Sequence, residues 1–273
     1  MLSPTQNILL HHEIHRHADE QAPWVLFIHG AGGSTRTWRK QIEPFGAEYN
    51  LLLIDLPGHA QSREATLLQK HYDFEWIGNK IWEVADHIQI QKLHLVGVSL
   101  GSIIAMQMQH SKPHRVHSML FSGPIVGLNR KLRILARTGL ALAKVIGFQN
   151  FYAVTARLTL PRKNHKKSRE IFVRESKFIS DDEYRKWTAM YGKCLDDTLL
   201  RLFDQAPAVP MYFLIGSQDH LFKEPAFNYA KRFPAVKTDI ADRCGHLVSL
   251  EKSAWFNERC LIYLRVLNDV KPG

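Results

Sequence analysis

The amino-acid sequence predicts an α/β protein built on a doubly wound, mostly parallel sheet. Short apolar runs recur along the chain and are typical of strands that are buried on both faces. Stretches long enough for a helix separate most of these runs, and helical periodicity closes the chain. Strands that alternate with helices in this way favour a parallel sheet with helices on both sides.

Six runs have the composition of strands. They are PWVLFIHG (23–30), NLLLIDLPG (50–58), KLHLVGVSLG (92–101), HSMLFSGP (117–124), VPMYFLIG (209–216) and the weaker VKTDIAD (236–242). Apolar residues with helical spacing predict helices over 73–88 and 253–268.

The alternation is interrupted once, between Gly123 and about Ala206. The sequence there is helical without strand-like runs: a first helix is expected over Leu132–Phe148, and Ser180 to Glu183 form a capping-box pattern that predicts another helix start. We therefore expect one core domain in two parts, residues 1–123 and 206–273, with a helical cap at 124–205.

Length and composition favour a soluble cytoplasmic protein. A chain of 273 residues with 45% hydrophobic content can form one main domain with an insertion. The first 20 residues lack a signal-peptide pattern, and no run of about 18 apolar residues occurs. The three cysteines (Cys194, Cys244, Cys260) do not have metal-binding spacing, and their odd number favours a reducing compartment.

Positive charge is concentrated in the helical segment. The net charge is +10, and residues 129–193 contain sixteen Lys or Arg against five Asp or Glu. The cap could wall a pocket for an acyl chain, contact anionic lipid, or dock an anionic carrier such as an acyl-carrier protein or a coenzyme A thioester. Its charges could also simply be solvated. No recognised motif accompanies the basic segment, so nucleic-acid binding is not expected.

The motif GVSLGS (97–102) places Ser99 between two glycines where a strand gives way to a helix. Such a sharp turn, the nucleophile elbow, exposes a serine above the sheet edge, although a glycine-rich turn with an incidental serine fits the motif alone. A nucleophilic serine needs a base and a carboxylate that orients the base. Asp219 follows the penultimate strand and His246 follows the last one, which is the expected chain order.

A tetrahedral intermediate needs hydrogen-bond donors for its oxyanion. One is expected from the backbone NH of Leu100, directly after Ser99, and the other from the loop HGAGGS (29–34). We favour the NH of Ala31 over that of Gly32, and expect Gly30 and Gly32 to let substrate approach the backbone. A phosphate-binding loop is a weaker interpretation, because GxGxxG and a lysine at Walker spacing are absent.

The chain resembles the α/β-hydrolase fold superfamily over nearly its whole length. Five segments carry the resemblance: HGAGGS, DLPGHAQS (55–62), GVSLGS, IGSQD and CGH. The resemblance implies an esterase-like member with a serine nucleophile and a helical cap after the sixth strand of the family's scheme. It carries Ser99, Asp219 and His246 over as nucleophile, acid and base.

Two residues depart from the family pattern, and one competes for a role. Ala60 and Ser102 stand where the family often has glycine, and both are small enough to preserve tight packing. Asp55 also ends a strand on the same side, but the family usually keeps it structural, and loop position favours Asp219.

We therefore expect hydrolysis of a carboxylic ester or thioester of a small or lipid-like substrate through an acyl-enzyme, without a metal or organic cofactor. An alternative is a lyase or carbon–carbon bond hydrolase on the same scaffold, with arginines that hold a substrate carboxylate. A third is a relative that only binds a small ligand. The sequence carries no marker of oligomeric state.

Overall fold

The computed structural model describes residues 8–66, 69–128, 132–134, 138–139 and 147–269. Its centre is a seven-stranded sheet with the order β1-β3-β2-β4-β5-β6-β7. The strands are β1 His12–His15, β2 Trp24–Ile28, β3 Asn50–Ile54, β4 Leu93–Val98, β5 Val116–Ser122, β6 Met211–Gly216 and β7 Val236–Ala241. All neighbouring strands are parallel except β1, which pairs antiparallel with β3. This sheet confirms the predicted fold class.

All six predicted strands are present, and the additional strand β1 was not predicted. Its sequence, HEIH, is short and mostly polar, and it lies at the sheet edge with β3 as its neighbour. A strand of four residues carries too little periodicity to be recognised locally. Its pairing with the buried β3 is a long-range contact.

Helices cover both faces of the sheet. Those outside the segment between β5 and β6 are α1 Arg39–Gly46, α2 Phe74–His87, α3 Leu100–Ser111, α7 Lys223–Arg232, α8 Val248–Glu251 and α9 Ser253–Asp269. Along β2, Leu26 and Ile28 join one buried cluster with α2 and α3, whereas Val25 and Phe27 join a second cluster with α1 and α9. The alternation of side chains along a strand produces these two layers of core.

Three helices of the segment between β5 and β6 lie within the described residues: α4 Phe148–Thr159, α5 Lys166–Ser176 and α6 Asp181–Phe203. The segment follows the fifth strand of this sheet, whereas the family's scheme places the cap after its sixth strand. The sheet described here has one strand fewer before the segment. The helix expected over Leu132–Phe148 lies mostly outside the described residues. No helix in the described ranges has both the length and the apolar character that crossing a membrane requires.

The helix start predicted at Ser180 is present. The Ser180 hydroxyl accepts a hydrogen bond from the Glu183 amide at the start of α6. In a capping box, the Glu183 side chain would also accept a hydrogen bond from the backbone NH of Ser180. The Glu183 side chain has other partners. Its carboxylate instead accepts hydrogen bonds from the Tyr72 hydroxyl and from Lys186 Nζ, so it ties α6 to the loop before α2.

Candidate active site

Ser99 lies on the turn between β4 and α3 in a backbone conformation that is rare for a non-glycine residue (φ 54°, ψ −117°). Two glycines permit the turn. A Cβ on Gly97 would lie 2.6 Å from the carbonyl oxygen of Gly101, and a Cβ on Gly101 would lie 2.2 Å from that of Ile28. Side chains do not fit at these separations, so both glycines are required for the strand, turn and helix to pack this closely.

Ser102, one of the two departures from the family pattern, adds hydrogen bonds to this turn. Its hydroxyl donates to the Ser99 carbonyl at 2.6 Å and accepts from the Ile125 amide at 3.0 Å. Ala60, the other departure, keeps a left-handed backbone (φ 43°) although it carries a Cβ. The first replacement therefore links the elbow to the residues after β5, and the second leaves a mildly strained backbone.

The structure brings Ser99, His246 and Asp219 into one hydrogen-bonded chain. His246 Nε2 lies 2.9 Å from Ser99 Oγ, and His246 Nδ1 lies 2.7 Å from Asp219 Oδ2. Both the imidazole and the carboxylate are buried. The three residues are far apart in the sequence, and their meeting depends on the carboxyl ends of β4, β6 and β7 lying along one edge of the sheet.

Asp219 is held as a carboxylate. Burial acts to raise its pKa, but the His246 imidazole and the amides of Phe222 and Leu221 outweigh it, and the pKa lies below its usual value of 3.8. The two amides donate to Oδ1 at 3.1 and 3.2 Å, which leaves Oδ2 for the imidazole. A charged carboxylate at this position keeps the Nδ1 proton of His246 directed away from Ser99.

Asp55, the competing acid, has other partners. Its carboxylate accepts hydrogen bonds from the backbone amides of Thr35 and Gln61 and lies 3.0 Å from His11 Nδ1. These contacts join the loops that follow β2 and β3. The His246 imidazole is hydrogen-bonded to Asp219 instead.

Two neighbours of His246 were not identified from the sequence. Gly123, the residue directly after β5, has φ 57°, and a Cβ there would lie 2.2 Å from the His246 carbonyl oxygen and 2.9 Å from Nδ1. The Phe222 ring lies against the imidazole, with 4.7 Å between centroids. No local sequence signal indicates that Gly123 contacts a residue 123 positions later in the chain.

The loop after β2 lies beside Ser99. A Cβ on Gly30 would be 3.3 Å from Ser99 Cβ, whereas Ala31 and Gly32 line the adjoining cavity. The Gly32 amide already donates to His59 Nε2 at 3.1 Å. This bond occupies the NH of Gly32, which ranked after that of Ala31 as an oxyanion donor. The hydroxyl of Tyr152, on α4, donates to the Ala31 carbonyl and thereby ties this loop to the helical segment.

Two histidines that support this loop are neutral. Burial lowers the pKa of His29 to about 4 and that of His59 to about 3. His29 Nε2 accepts from the Leu56 amide, and His59 Nε2 accepts from the Gly32 amide. Each imidazole therefore acts as a hydrogen-bond acceptor in the backbone of the site, a role that a protonated ring cannot fill.

A cavity of about 410 Å³ opens over Ser99 and reaches into the segment between β5 and β6. Its size falls in the range of about 300–1,000 Å³ that is common for small-molecule sites. Apolar side chains dominate its walls, among them Ile103, Phe151, Leu158, Trp187 and Leu195. Of the residues that the structure describes, none that lines this cavity carries a Lys, Arg, Asp or Glu side chain.

His165, just before α5, connects the helical segment to the loop that carries Asp219. It is fully buried, and its Nε2 lies 2.9 Å from Oε1 of Gln218, the residue before Asp219. Asn164 Nδ2 donates to the same oxygen at 3.0 Å. In the described part of the chain, His, Cys, Asp and Glu side chains do not assemble into a group of three or more that could hold a metal ion.

Comparison with known proteins identifies the family of this architecture. The family model for the alpha/beta hydrolase fold matches residues 23–253. The chain is 25% identical over 256 residues to the dihydrolipoyllysine-residue acetyltransferase component of the acetoin cleaving system of Pseudomonas putida, which covers 88% of this chain and 63% of that protein. It is 24% identical over 250 residues to an uncharacterized carboxylesterase of Bacillus subtilis strain 168, with 89% and 79% covered.

A shorter match is closer in sequence. The pimeloyl-[acyl-carrier protein] methyl ester esterase of Aeromonas salmonicida is 34% identical over 102 residues, or 37% of each chain. This match and that to the Pseudomonas protein each span less than two thirds of the relative's own length.

Solved structures match over almost the whole chain. A hydrolase from Oleispira antarctica superposes with a TM-score of 0.80 at 15% identity and covers 93% of this chain and 94% of its own. A structure from work on carboxylesterases of Nitrososphaera gargenis has a TM-score of 0.79 at 16% identity, with 98% of each chain covered. Likeness at such identities shows the fold.

Proposed function

The chain belongs to the alpha/beta hydrolase fold family, and we propose that it is a serine hydrolase that cleaves a carboxylic ester or thioester of an uncharged, apolar group. The observation that carries this proposal is the chain of hydrogen bonds from Ser99 Oγ through the His246 imidazole to Asp219. Esterases among the relatives support the same general chemistry.

In the proposed first step, Ser99 Oγ attacks the carbonyl carbon of the ester while its proton moves to His246 Nε2. Asp219 accepts a hydrogen bond from Nδ1–H of the imidazole throughout, which fixes the tautomer and stabilises the imidazolium. The tetrahedral intermediate collapses, His246 returns the proton to the leaving oxygen, and the alcohol departs. Water then attacks the carbonyl carbon of the acyl-enzyme and gives a proton to His246. As this second tetrahedral intermediate collapses, the bond from the acyl carbon to Ser99 Oγ breaks, His246 returns the proton to Oγ, and the carboxylic acid is released.

The oxyanion of each tetrahedral intermediate would be stabilised by the backbone NH groups of Leu100 and Ala31. Leu100 is the first residue of α3, so its amide is among those that a helix leaves without an internal partner. Ala31 is favoured over Gly32 because the Gly32 amide donates to His59. A single donor of this kind is commonly worth about 3 to 4 kcal/mol in the transition state.

The substrate class follows from the cavity walls. Burying an unpaired carboxylate or ammonium in an apolar cavity is costly, so a group that enters it should be uncharged. Enzymes of the lyase alternative sometimes use arginines that hold a substrate carboxylate, and the described walls supply none. This difference favours hydrolysis of an apolar ester. We propose that α4 to α6 act as the cap that closes this cavity.

Labelling with a fluorophosphonate, combined with turnover of p-nitrophenyl esters of increasing acyl length, tests the proposal. We expect labelling of the wild type and of the control Ser111→Ala, whose serine lies at the far end of α3, and none of Ser99→Ala. Turnover should rise with acyl length until the chain fills the cavity. Labelling without turnover of any ester would favour the lyase, and absence of both would contradict the nucleophile assignment.

A further inference from the structure

The mouth of the cavity exposes apolar side chains on one face of α4. Val154 and Leu158 line the cavity, and 39% and 42% of their surfaces remain accessible to solvent. They are four residues apart, so they lie on the same face of the helix. The buried Tyr152 and Ala156 define another face of α4, which packs inward. Two adjacent aliphatic groups are thus left in water at the entrance of a site proposed to take apolar substrates.

A basic groove of about 470 Å³ lies on the neighbouring face of the same helix. Its charged residues are Arg157, Lys166, Arg169, Arg174 and Lys177, with Glu170 as the single acidic member. The Lys166–Glu170 pair is 3.9 Å apart and largely exposed, so it neutralises little. Within the described part of the chain, Arg157 and Lys177 take part in no ion pair. Arg174 is paired with the carboxylate of Glu175 at 3.1 Å. The remaining cations leave the groove with a net positive charge.

The cavity mouth and the basic groove adjoin each other. Successive helix positions are separated by about 100°. Ala153 and Arg157 on the groove and Val154 and Leu158 at the mouth are therefore next to each other around α4. An exposed apolar strip beside a row of cations is the pattern of a surface that contacts anionic lipid: the apolar groups enter the acyl boundary and the cations meet the headgroups.

We propose that this face of α4 docks the protein on an anionic lipid surface and directs the cavity mouth at it. The inference rests on the proposed function, because the lipid layer would deliver an apolar ester directly to Ser99. Charge complementarity selects the partner. The acyl layer below the headgroups would also bury the aliphatic groups around the opening of the cavity, so one partner accounts for both the cations and the apolar strip.

Co-sedimentation with vesicles tests the docking surface. Wild-type protein should bind vesicles of equimolar phosphatidylcholine and phosphatidylglycerol at least tenfold more tightly than phosphatidylcholine alone, and salt should weaken binding. Each cation near such a surface contributes about fivefold in affinity, so Arg157→Gln with Lys177→Gln should bind about twenty-five-fold more weakly. The control Lys92→Gln with Lys231→Gln removes the same charge outside the helical segment and should bind like the wild type.

The apolar strip has its own variant and control. Val154→Ser with Leu158→Ser should lower vesicle binding at least fivefold, whereas Val266→Ser, an exposed aliphatic position on α9, should leave it unchanged. Each variant's circular dichroism spectrum is measured, and variants that differ from the wild type are replaced by the corresponding single substitutions.

Several outcomes would overturn the proposal: equal binding to both vesicle types, equal losses in the test and control variants, or binding to soluble polyglutamate but not to vesicles, which would indicate an acidic protein partner. Vesicle binding and ester hydrolysis can fail independently of each other. Ser99→Ala removes the proposed nucleophile but not the docking surface, so this variant should still bind vesicles. A protein that binds the anionic vesicles but hydrolyses no ester would contradict the hydrolase and retain the docking surface.

Discussion

Glu251 holds Gly245, the residue before His246, through a hydrogen bond of 2.9 Å from the Gly245 amide to Oε2. Its other oxygen accepts from the amide of Leu247, the residue after His246, at 3.3 Å. The buried His165 lies 3.7 Å from the same carboxylate and also contacts Gln218 beside Asp219. One buried carboxylate thus fixes the backbone on both sides of the imidazole and connects it to the helical segment.

Glu251→Gln should impair positioning of His246. A carboxamide retains one acceptor oxygen, so one of the two amides loses its partner, at a cost of about 1 to 3 kcal/mol in unfolding free energy. We expect kcat for ester hydrolysis to fall on the order of tenfold with KM little changed, because small displacements of a base slow chemistry and Glu251 does not line the cavity. Glu258→Gln, at an exposed site on α9, is the control. Equal kinetics in the two variants would contradict the positioning role.

Ser99→Ala should abolish ester turnover while leaving the fold intact. Loss of the nucleophile costs on the order of a millionfold in kcat where a serine, histidine and aspartate act as a unit. Ser99 contributes a hydroxyl to the cavity rather than bulk to the core, so near-UV circular dichroism should match that of the wild type. Turnover within tenfold of the wild type would refute the assignment.

Gly123→Ala should disturb the site from β5. A methyl group there overlaps the His246 carbonyl and crowds Nδ1, in a left-handed backbone that itself costs about 1 to 2 kcal/mol for a residue with a side chain. We expect a lower melting temperature and a loss of kcat on the order of a hundredfold. Gly127→Ala is a matched control, because a Cβ there meets no atom within 4 Å. Similar losses in both variants would show that the effect does not arise at His246.

Stability should fall in acid because buried histidines stay neutral in the folded protein. Burial lowers the pKa of His29 to about 4 and the pKa values of His59 and His94 to about 3, against 6.5 in the unfolded chain. Between the folded and unfolded pKa values the unfolded state binds more protons than the folded state. The contribution of these histidines to the free energy of unfolding is therefore complete above about pH 6.5 and is lost as pH falls towards 4. Each histidine adds roughly 1.4 kcal/mol per pH unit to this slope.

Urea denaturation between pH 4 and 7 measures the effect. His94→Gln should reduce the pH slope of the unfolding free energy by about one proton's worth, whatever its effect on stability at neutral pH. His110→Gln removes one exposed imidazole and is the control. An unfolding free energy that is constant over this pH range would be inconsistent with neutral buried imidazoles.

Much of the fold was predictable because its signals are local. Apolar runs identified the six parallel strands, and the hydroxyl of Ser180 caps α6 as its pattern indicated. Strand β1 was missed, because four mostly polar residues become a strand only through pairing with β3. The Glu183 carboxylate does not complete the capping box, because it accepts hydrogen bonds from Lys186, one turn along the same helix, and from the distant Tyr72.

The sequence by itself determined the order and chemistry of the candidate site: a serine between glycines, then an acid, then a histidine, each after an apolar strand. These features depend on residue types and short spacings, which can be recognised in the sequence alone. Only the tertiary structure decided that His246 meets Asp219 rather than Asp55, that Gly123 and Glu251 hold the histidine in place, and that the described cavity walls carry no charge. Those outcomes depend on contacts between distant parts of the chain, and packing rather than local pattern selects among them.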